Sequence, residues 1–134
     1  MLIQNGYHLT YCTNIHAGET WSEVFQSLKE YLPFIKSSVS PENPFGVGLR
    51  LSNIASVQLL QGDLLNQFSE WLFENNLYVF TINGFPYGDF HGGAVKEKVY
   101  LPDWTNHKRL YYTKRLFTIL ARLLPKEMDG GVST

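Results

Sequence analysis

The sequence has no excess of charge of either sign, and this limits the partners open to it. Its 11 lysines and arginines nearly balance its 12 aspartates and glutamates, which leaves a formal net charge of −1. Because nucleic-acid binding needs a concentrated basic surface to meet phosphates, this balance argues against a nucleic-acid partner. One small basic group, formed by Lys108, Arg109, Lys114 and Arg115, is typical of the solvated face of a helix.

Disulfides, membrane spans and familiar catalytic motifs are also lacking. Cys12 is the only cysteine, so no internal disulfide can form and nothing indicates an oxidising compartment. No run approaches the roughly 18 apolar residues of a membrane helix, and the first 12 residues lack the regions of a signal peptide. The P-loop, GxGxxG, CxxC, HExxH and GxSxG motifs are absent. We therefore expect a cytoplasmic protein without membrane insertion.

What the sequence contains is an alternation of apolar runs and helical patterns. With 134 residues, 44% of them hydrophobic, the chain is large enough for one domain with a real core. Residues 7–16, 45–52 and 77–83 are predicted strands, and residues 128–134 could begin a fourth. In the first strand, Cys12 is interpreted as a small core residue.

Three helical patterns follow the three strands. Thr20 and Glu23 have the spacing of a capping box, and Pro33 predicts a kink or a helix end near Leu32. The second helical region is residues 52–76, strongest over 63–74. Thr105 is a candidate cap for the third helix, whose predicted buried stripe consists of Leu110, Thr113, Leu116, Phe117, Leu120, Leu123 and Leu124.

This order predicts an α/β fold of three parallel βα units plus the start of a fourth strand, in one unit over residues 1–134 without an internal domain boundary. A doubly wound sheet normally has more strands, and a closed (β/α)₈ barrel needs about 250 residues. We therefore expect a piece of a longer protein, or sheet edges covered by another copy of the chain.

Polar and aromatic side chains follow each predicted strand, where parallel α/β proteins gather their functional groups. They could supply metal ligands, a general acid or base, or donors for a hydroxylated substrate. Structural interpretations stay open, since His16 could hold its loop, Asp89 could form an Asx turn, and Tyr87 could pack with Tyr100 and Trp104 under the long loop. The candidates for ligand binding are Asn14, His16, Arg50, Asn83, Tyr87 and Asp89, and His91 in the same long loop is a further candidate site residue.

Three segments, LTYCTNIHAGETW, FGVGLRLS and YVFTINGFPYGDFHGGAVKEKVYLPDW, carry a resemblance to a known family. From about residue 9 to residue 134 the chain resembles the N-terminal part of the EboE family of bacterial metabolite traffic proteins. EboE proteins are in turn similar to the xylose-isomerase-like TIM-barrel superfamily. The resemblance implies the first half of a (β/α)₈ barrel that takes part in trafficking or processing a small secondary metabolite.

The segment DFHGG resembles the Phe-His turn after an early strand of xylose isomerases, where the histidine helps to open the sugar ring. The resemblance implies His91 as the candidate catalytic residue. Apart from the resemblance, the strand-end histidines His16 and His91 are candidate ligands of a divalent metal in a complete barrel. Glycines stand here where the isomerases have acidic residues, so His91 alone is carried over.

Two alternatives to a metabolite traffic protein stay open. One is a metal-dependent isomerase, epimerase or hydrolase whose site this chain supplies in part, and the other is a non-catalytic binding or scaffold protein. In every case half a barrel would expose a wide hydrophobic face and two sheet edges, so we expect self-association or further strands to cover them.

Overall fold

A computed structural model describes residues 1–3, 6–88 and 98–134, and it has a four-stranded parallel sheet with helices between the strands. The predicted α/β class, with three parallel βα units and a fourth strand, is confirmed. None of the helices in the described ranges is long and apolar enough to cross a bilayer. The elements are β1 (Thr10–Cys12), α1 (Trp21–Val39), β2 (Phe45–Arg50), α2 (Asn53–Leu59), α3 (Leu64–Glu74), β3 (Leu77–Asn83), α4 (His107–Leu123) and β4 (Gly131–Ser133).

The four strands lie side by side in chain order, β1-β2-β3-β4. Successive crossovers of the same hand in this order leave all the helices on one face of the sheet. That face carries fully buried residues of both central strands, Val47 and Leu49 of β2 and their partners Val79 and Ile82 of β3, which a register shift brings to the same side. They share one core with buried side chains of all four helices, such as Leu32, Leu59, Phe68 and Leu116.

The second face of the sheet is small and polar toward the carboxyl ends of the strands. One row of side-chain positions on this face, taken across the four strands in register, consists of Cys12, Gly48, Thr81 and Gly131. Two residues further along the strands, Asn83 of β3 pairs with Ser133 of β4. The wide hydrophobic sheet face expected of half a barrel is therefore not what these strands present. Large exposed apolar side chains lie instead on the helices and near the N-terminus, as with Phe34, Phe73 and Tyr7.

Aromatic side chains occupy the second face at the amino ends of the strands, where residues 1–3 and 6–9 lie against them. The Met1 amine donates to the Tyr78 hydroxyl at 2.7 Å, and His8 Nδ1 lies 2.8 Å from the same oxygen. The His8 ring also lies 5.3 Å from the ring of Phe80. Gly46 is required here because a Cβ atom would come within 2.8 Å of the Leu9 carbonyl oxygen.

The predicted capping box begins α1. The Glu23 N–H donates to Thr20 Oγ1 at 3.3 Å, and the Thr20 N–H donates to Glu23 Oε2 at 2.9 Å. The helix then continues through Pro33 to Val39, so of the two alternatives at Pro33 the end near Leu32 was wrong and the kink stays a prediction.

Two expectations for β1 and the start of α4 were also wrong. The first strand covers only Thr10–Cys12 of the predicted residues 7–16, and a 3₁₀ turn follows it. Cys12 is exposed on the second face of the sheet, so it is not the core residue that was expected. The cap of α4 is Asn106, whose side chain accepts from the Lys108 N–H at 2.9 Å, while Thr105 bonds to Asp103.

The buried face of α4 differs from the predicted stripe by a rotation of about one residue. Leu110 and Phe117 are exposed, whereas Arg109, Tyr112 and Ile119 are buried. The rotation is explained by polar anchors on the neighbouring strand ends. The Tyr112 hydroxyl donates to the Leu51 carbonyl oxygen, and Arg109 donates to the carbonyl oxygen that follows β3.

Candidate functional site

An open cleft of about 470 Å³ lies at the carboxyl ends of β3 and β4. Strand-end residues form its floor, three aromatic side chains form its walls, and one cation and one carboxylate complete it. The Gly84 N–H donates to the Ser133 carbonyl oxygen at 2.7 Å, which joins the two strand ends beneath the cleft. The lining residues are Asn83, Phe85, Tyr100, Asp103, Trp104, Arg109, Ser133 and Thr134.

Arg109 is the buried cation of the cleft, and its side chain is fixed from several directions. Its Nε donates to the Pro102 carbonyl oxygen at 2.8 Å, and Nη1 donates to the Gly84 carbonyl oxygen at 3.0 Å. The guanidinium carbon lies 5.7 Å from the ring centre of Tyr87 and 5.8 Å from that of Tyr112. The guanidinium therefore has a fixed orientation beside the cleft.

Asp103 is the carboxylate at the rim. Its Oδ1 accepts from the Thr105 hydroxyl at 2.6 Å and from the Thr105 N–H at 3.0 Å. These bonds, the hydroxyl bond first, hold the pKa of Asp103 below its ordinary value. Asp103 is therefore ionised at neutral pH and presents a negative charge to the mouth of the cleft.

Asn83 is the residue of the predicted set that lines this cleft. It ends β3, and its Oδ1 accepts from the Phe85 N–H at 3.0 Å. That bond orients the side chain at the strand end, where its amide can meet a bound molecule. Tyr87, predicted beside it, instead packs edge-to-face on Tyr112 at 5.0 Å between ring centres.

Arg50 lies at the carboxyl end of β2 and holds two loops together. Its Nη1 donates to the Gly18 carbonyl oxygen, and its Nη2 donates to Glu19 Oε1 and to the Gly88 carbonyl oxygen, each at 2.8 Å. The side chain is only 2% exposed and forms an ion pair with Glu19. Its Nη1 and Nη2 thus join the loops after β1 and β3, while its Nε is buried without a hydrogen-bond partner among the described residues.

His16 and Asn14 follow β1 at the same edge of the sheet as Asn83, but they do not line the cleft. The His16 ring stacks on Tyr31 of α1 at 4.5 Å, and its Nε2 lies 3.0 Å from the Tyr11 hydroxyl. Burial lowers the pKa of His16, against a smaller opposing effect of Glu30. The space beside His16 and Arg50 is about 10 Å³, no more than a single water requires. The oxygen Oδ1 of Asn14 is buried, without a hydrogen-bond partner among the described residues.

Asp89 and His91 lie outside the described residues, so the predictions for them stay predictions. Within residues 1–3, 6–88 and 98–134, no three His, Cys, Asp or Glu side chains come together as a metal site would require. A divalent metal would therefore need donors from other parts of the protein.

Arg109 is the cleft residue that sequence reasoning missed, because its basic neighbours placed it on a solvated face. A signal was present in the sequence. Arg109 precedes Thr113 by four residues and Leu116 by seven, so it shares the helical face of two residues predicted to be buried.

A second cleft, of about 500 Å³, lies at the opposite end of the sheet. Its lining includes Leu2, His8, Tyr78 and Met128 but no aspartate, glutamate, lysine or arginine from the described residues. Ligands of parallel α/β proteins bind at the carboxyl ends of the strands, which favours the cleft at Arg109 over this one.

Comparisons of the chain with protein-family models, with curated proteins and with solved structures found no match. The features that bear on function are therefore the strand order, which leaves one sheet face free of helices, and the chemistry of the cleft at the carboxyl ends.

Proposed function

We propose that this protein binds a small hydroxylated metabolite in the cleft at the carboxyl ends of β3 and β4. One observation carries the proposal: the cleft combines aromatic walls with fixed polar groups, Asn83, Ser133 and Arg109. Aromatic faces cover the apolar side of a small ligand, and a few oriented polar groups select its hydroxyls.

We also propose that the sheet is part of a (β/α)₈ barrel of the xylose-isomerase-like, EboE type. The sequential parallel order, with helices on one face, supports this, because a closed barrel has the same order and keeps its active site at the carboxyl ends. The small and polar residues of the second face would then line the barrel interior. Strands β1 and β4 each pair with a single described neighbour, so further strands, or those of a second copy, would complete the barrel.

The proposed role is trafficking or processing of the bound metabolite, in the cytoplasm. A binding role is better supported than metal-dependent isomerisation, epimerisation or hydrolysis, since Asp103 is the one carboxylate side chain among the described residues of the cleft. The enzyme alternative would need His91, Asp89 or residues of later strands to supply the acid, base and metal ligands.

The test is recovery of the metabolite that copurifies with the protein, identified by mass spectrometry of a denatured extract. We expect a hydroxylated compound at close to one equivalent in the wild type and its loss from a double variant, Asn83→Ala with Trp104→Ala. Phe73→Ala is the control, since Phe73 is 86% exposed on α3 and distant from the cleft in the fold. The proposal fails if the double variant retains the compound as well as the control does. Metal analysis of the same preparations tests the enzyme alternative, which a stoichiometric divalent metal would favour.

A further inference from the structure

Arg109 carries a buried positive charge that the described protein groups do not neutralise. We infer that the cleft binds its metabolite through an oxyanion, a carboxylate or a phosphoryl group, that pairs with the Arg109 guanidinium. The inference rests on the proposed function and adds the charge of the ligand to it.

The first step is the mismatch between burial and charge. Arg109 is 4% exposed, yet no carboxylate of the described residues lies within 4 Å of it. Arg50, buried to a similar extent, has the carboxylate of Glu19 at 2.8 Å. A buried cation without a counter-ion is costly, because desolvation of the charge is not compensated. A ligand anion in the adjoining cleft would supply the missing counter-charge.

The second step is the position of Arg109 in α4. It is the third residue of a helix that begins at His107, and the Arg109 N–H donates to the Asn106 carbonyl oxygen at 3.0 Å. The first turn of a helix carries partial positive charge, so it disfavours cations and favours anions. The guanidinium thus adds to the positive potential of the helix end instead of offsetting it, and both effects favour an anion at this end of the cleft.

The third step is the geometry of the guanidinium. Its Nε and Nη1 donate to the carbonyl oxygens of Pro102 and Gly84, and its faces meet the rings of Tyr87 and Tyr112. These partners are neutral, so they fix the orientation of the planar guanidinium but do not neutralise its positive charge. A fixed fork beside a cleft matches the two oxygens of a carboxylate or phosphoryl group.

The ionised Asp103 limits where the anion can lie. It stands at the rim of the same cleft, so the oxyanion belongs at the Arg109 end and the hydroxyls of the ligand toward Asp103. Removal of the rim charge by Asp103→Asn should therefore strengthen binding of anionic ligands and leave neutral ones nearly unchanged.

The experiment is calorimetric titration with two pairs of probes that differ in charge. Gluconate is compared with glucitol for the carboxylate, and glucose 6-phosphate is compared with glucose for the phosphoryl group. In the wild type we expect at least one anionic member to bind roughly ten- to a hundredfold more tightly than its neutral partner. Arg109→Gln should reduce that ratio to near one. Arg122→Gln, at an exposed arginine of the same helix, should leave it unchanged.

The outcomes separate this inference from the proposed function. Binding of neutral and anionic members with equal affinity in the wild type overturns the oxyanion while the metabolite cleft stands. Binding of no member overturns both. If Arg109→Gln does not fold, the wild type and Asp103→Asn decide: added salt should weaken only the anionic members, and Asp103→Asn should strengthen only them. Absence of both effects overturns the inference.

Discussion

Nη1 of Arg109 lies 3.0 Å from the carbonyl oxygen of Gly84, so the first turn of α4 is bonded to the residue that follows β3. A second bond, from Nε to the Pro102 carbonyl oxygen at 2.8 Å, fixes the segment that leads into the helix. One side chain thereby sets the rotation of α4 and forms a wall of the cleft. The stability of this corner and the shape of the proposed site consequently depend on the same polar anchors.

The Tyr112 hydroxyl is the second anchor of α4, and we predict that Tyr112→Phe destabilises the protein. The substitution leaves the Leu51 carbonyl oxygen, which is buried, without its hydroxyl donor. An unsatisfied buried acceptor costs about 1–3 kcal/mol. Urea denaturation should show this loss, while Tyr111→Phe should change little because Tyr111 is exposed. Equal midpoints for the two variants would contradict the assignment of Tyr112 as an anchor.

We predict a larger loss from Arg50→Met. The substitution removes the ion pair with Glu19 and the bonds to the Gly18 and Gly88 carbonyl oxygens, so the loops after β1 and β3 lose their common contact. Breaking one side of a buried, hydrogen-bonded pair typically costs about 3–5 kcal/mol. Arg122→Met on the exposed side of α4 is the control for chemical denaturation. A free energy of unfolding close to that of this control would show that Arg50 does not hold the loops.

Gly46 tests the packing of Met1 and Leu9 on the second face of the sheet. In Gly46→Ala the new methyl would lie 2.8 Å from the Leu9 carbonyl oxygen and 3.0 Å from the Met1 nitrogen. We expect a loss of about 1–3 kcal/mol, typical of overpacking against backbone. Gly131→Ala is the matched control, because a Cβ there meets nothing within 4 Å. Thermal denaturation that ranks Gly131→Ala as the less stable variant would refute this packing.

The capping box of α1 predicts a pH-dependent contribution to stability. Hydrogen bonds from the Thr20 and Glu19 backbone and the Thr20 hydroxyl lower the pKa of Glu23. A carboxyl whose folded pKa is depressed stabilises the protein above its unfolded pKa, and this contribution is lost as the pH falls through the folded pKa. Thr20→Ala removes the two bonds of the Thr20 hydroxyl with Glu23 and keeps the backbone N–H of residue 20. Loss of an N-cap side chain typically costs about 1 kcal/mol, and we expect Thr20→Ala to cost less at pH 3 than at pH 7.

Denaturation at both pH values, with Ser22→Ala as the exposed control, measures this difference. An NMR titration of the Glu23 carboxyl should show its pKa rise toward the ordinary value in Thr20→Ala. A cost of Thr20→Ala that is the same at both pH values would contradict the bond from the Thr20 hydroxyl to the Glu23 carboxylate.

The sequence was sufficient for those elements whose signals are local. The Thr20 and Glu23 spacing predicted the start of α1, and the apolar run of β3 predicted its strand over the observed residues. Strand β1 was predicted too long because its alternation continues through Ile15, which the structure places in a 3₁₀ turn and leaves 70% exposed.

Contacts between distant segments account for what the sequence could not predict. His16 stacks on Tyr31 only because α1 returns across β1, and Arg50 meets Glu19 and Gly88 only when the loops after β1 and β3 converge on the end of β2. The basic neighbours of Arg109 predicted a solvent-exposed position, although its helical spacing from Thr113 and Leu116 indicated a buried one. Its bonds to the Pro102 and Gly84 carbonyl oxygens, before the helix in the chain, hold it on the buried face of α4. The proposed site depends on these long-range contacts. Among the predicted site residues that the structure describes, Asn83 lines the cleft.

The most direct test of the metabolite cleft is an NMR map of amide and indole resonances during titration with gluconate, glucitol, glucose 6-phosphate and glucose. The shifts should concentrate on Asn83, Ser133 and the indole N–H of Trp104, at the carboxyl ends of β3 and β4. Shifts confined to His8, Tyr78 and Met128, at the opposite end of the sheet, or no shifts with any of the four compounds, would contradict the account.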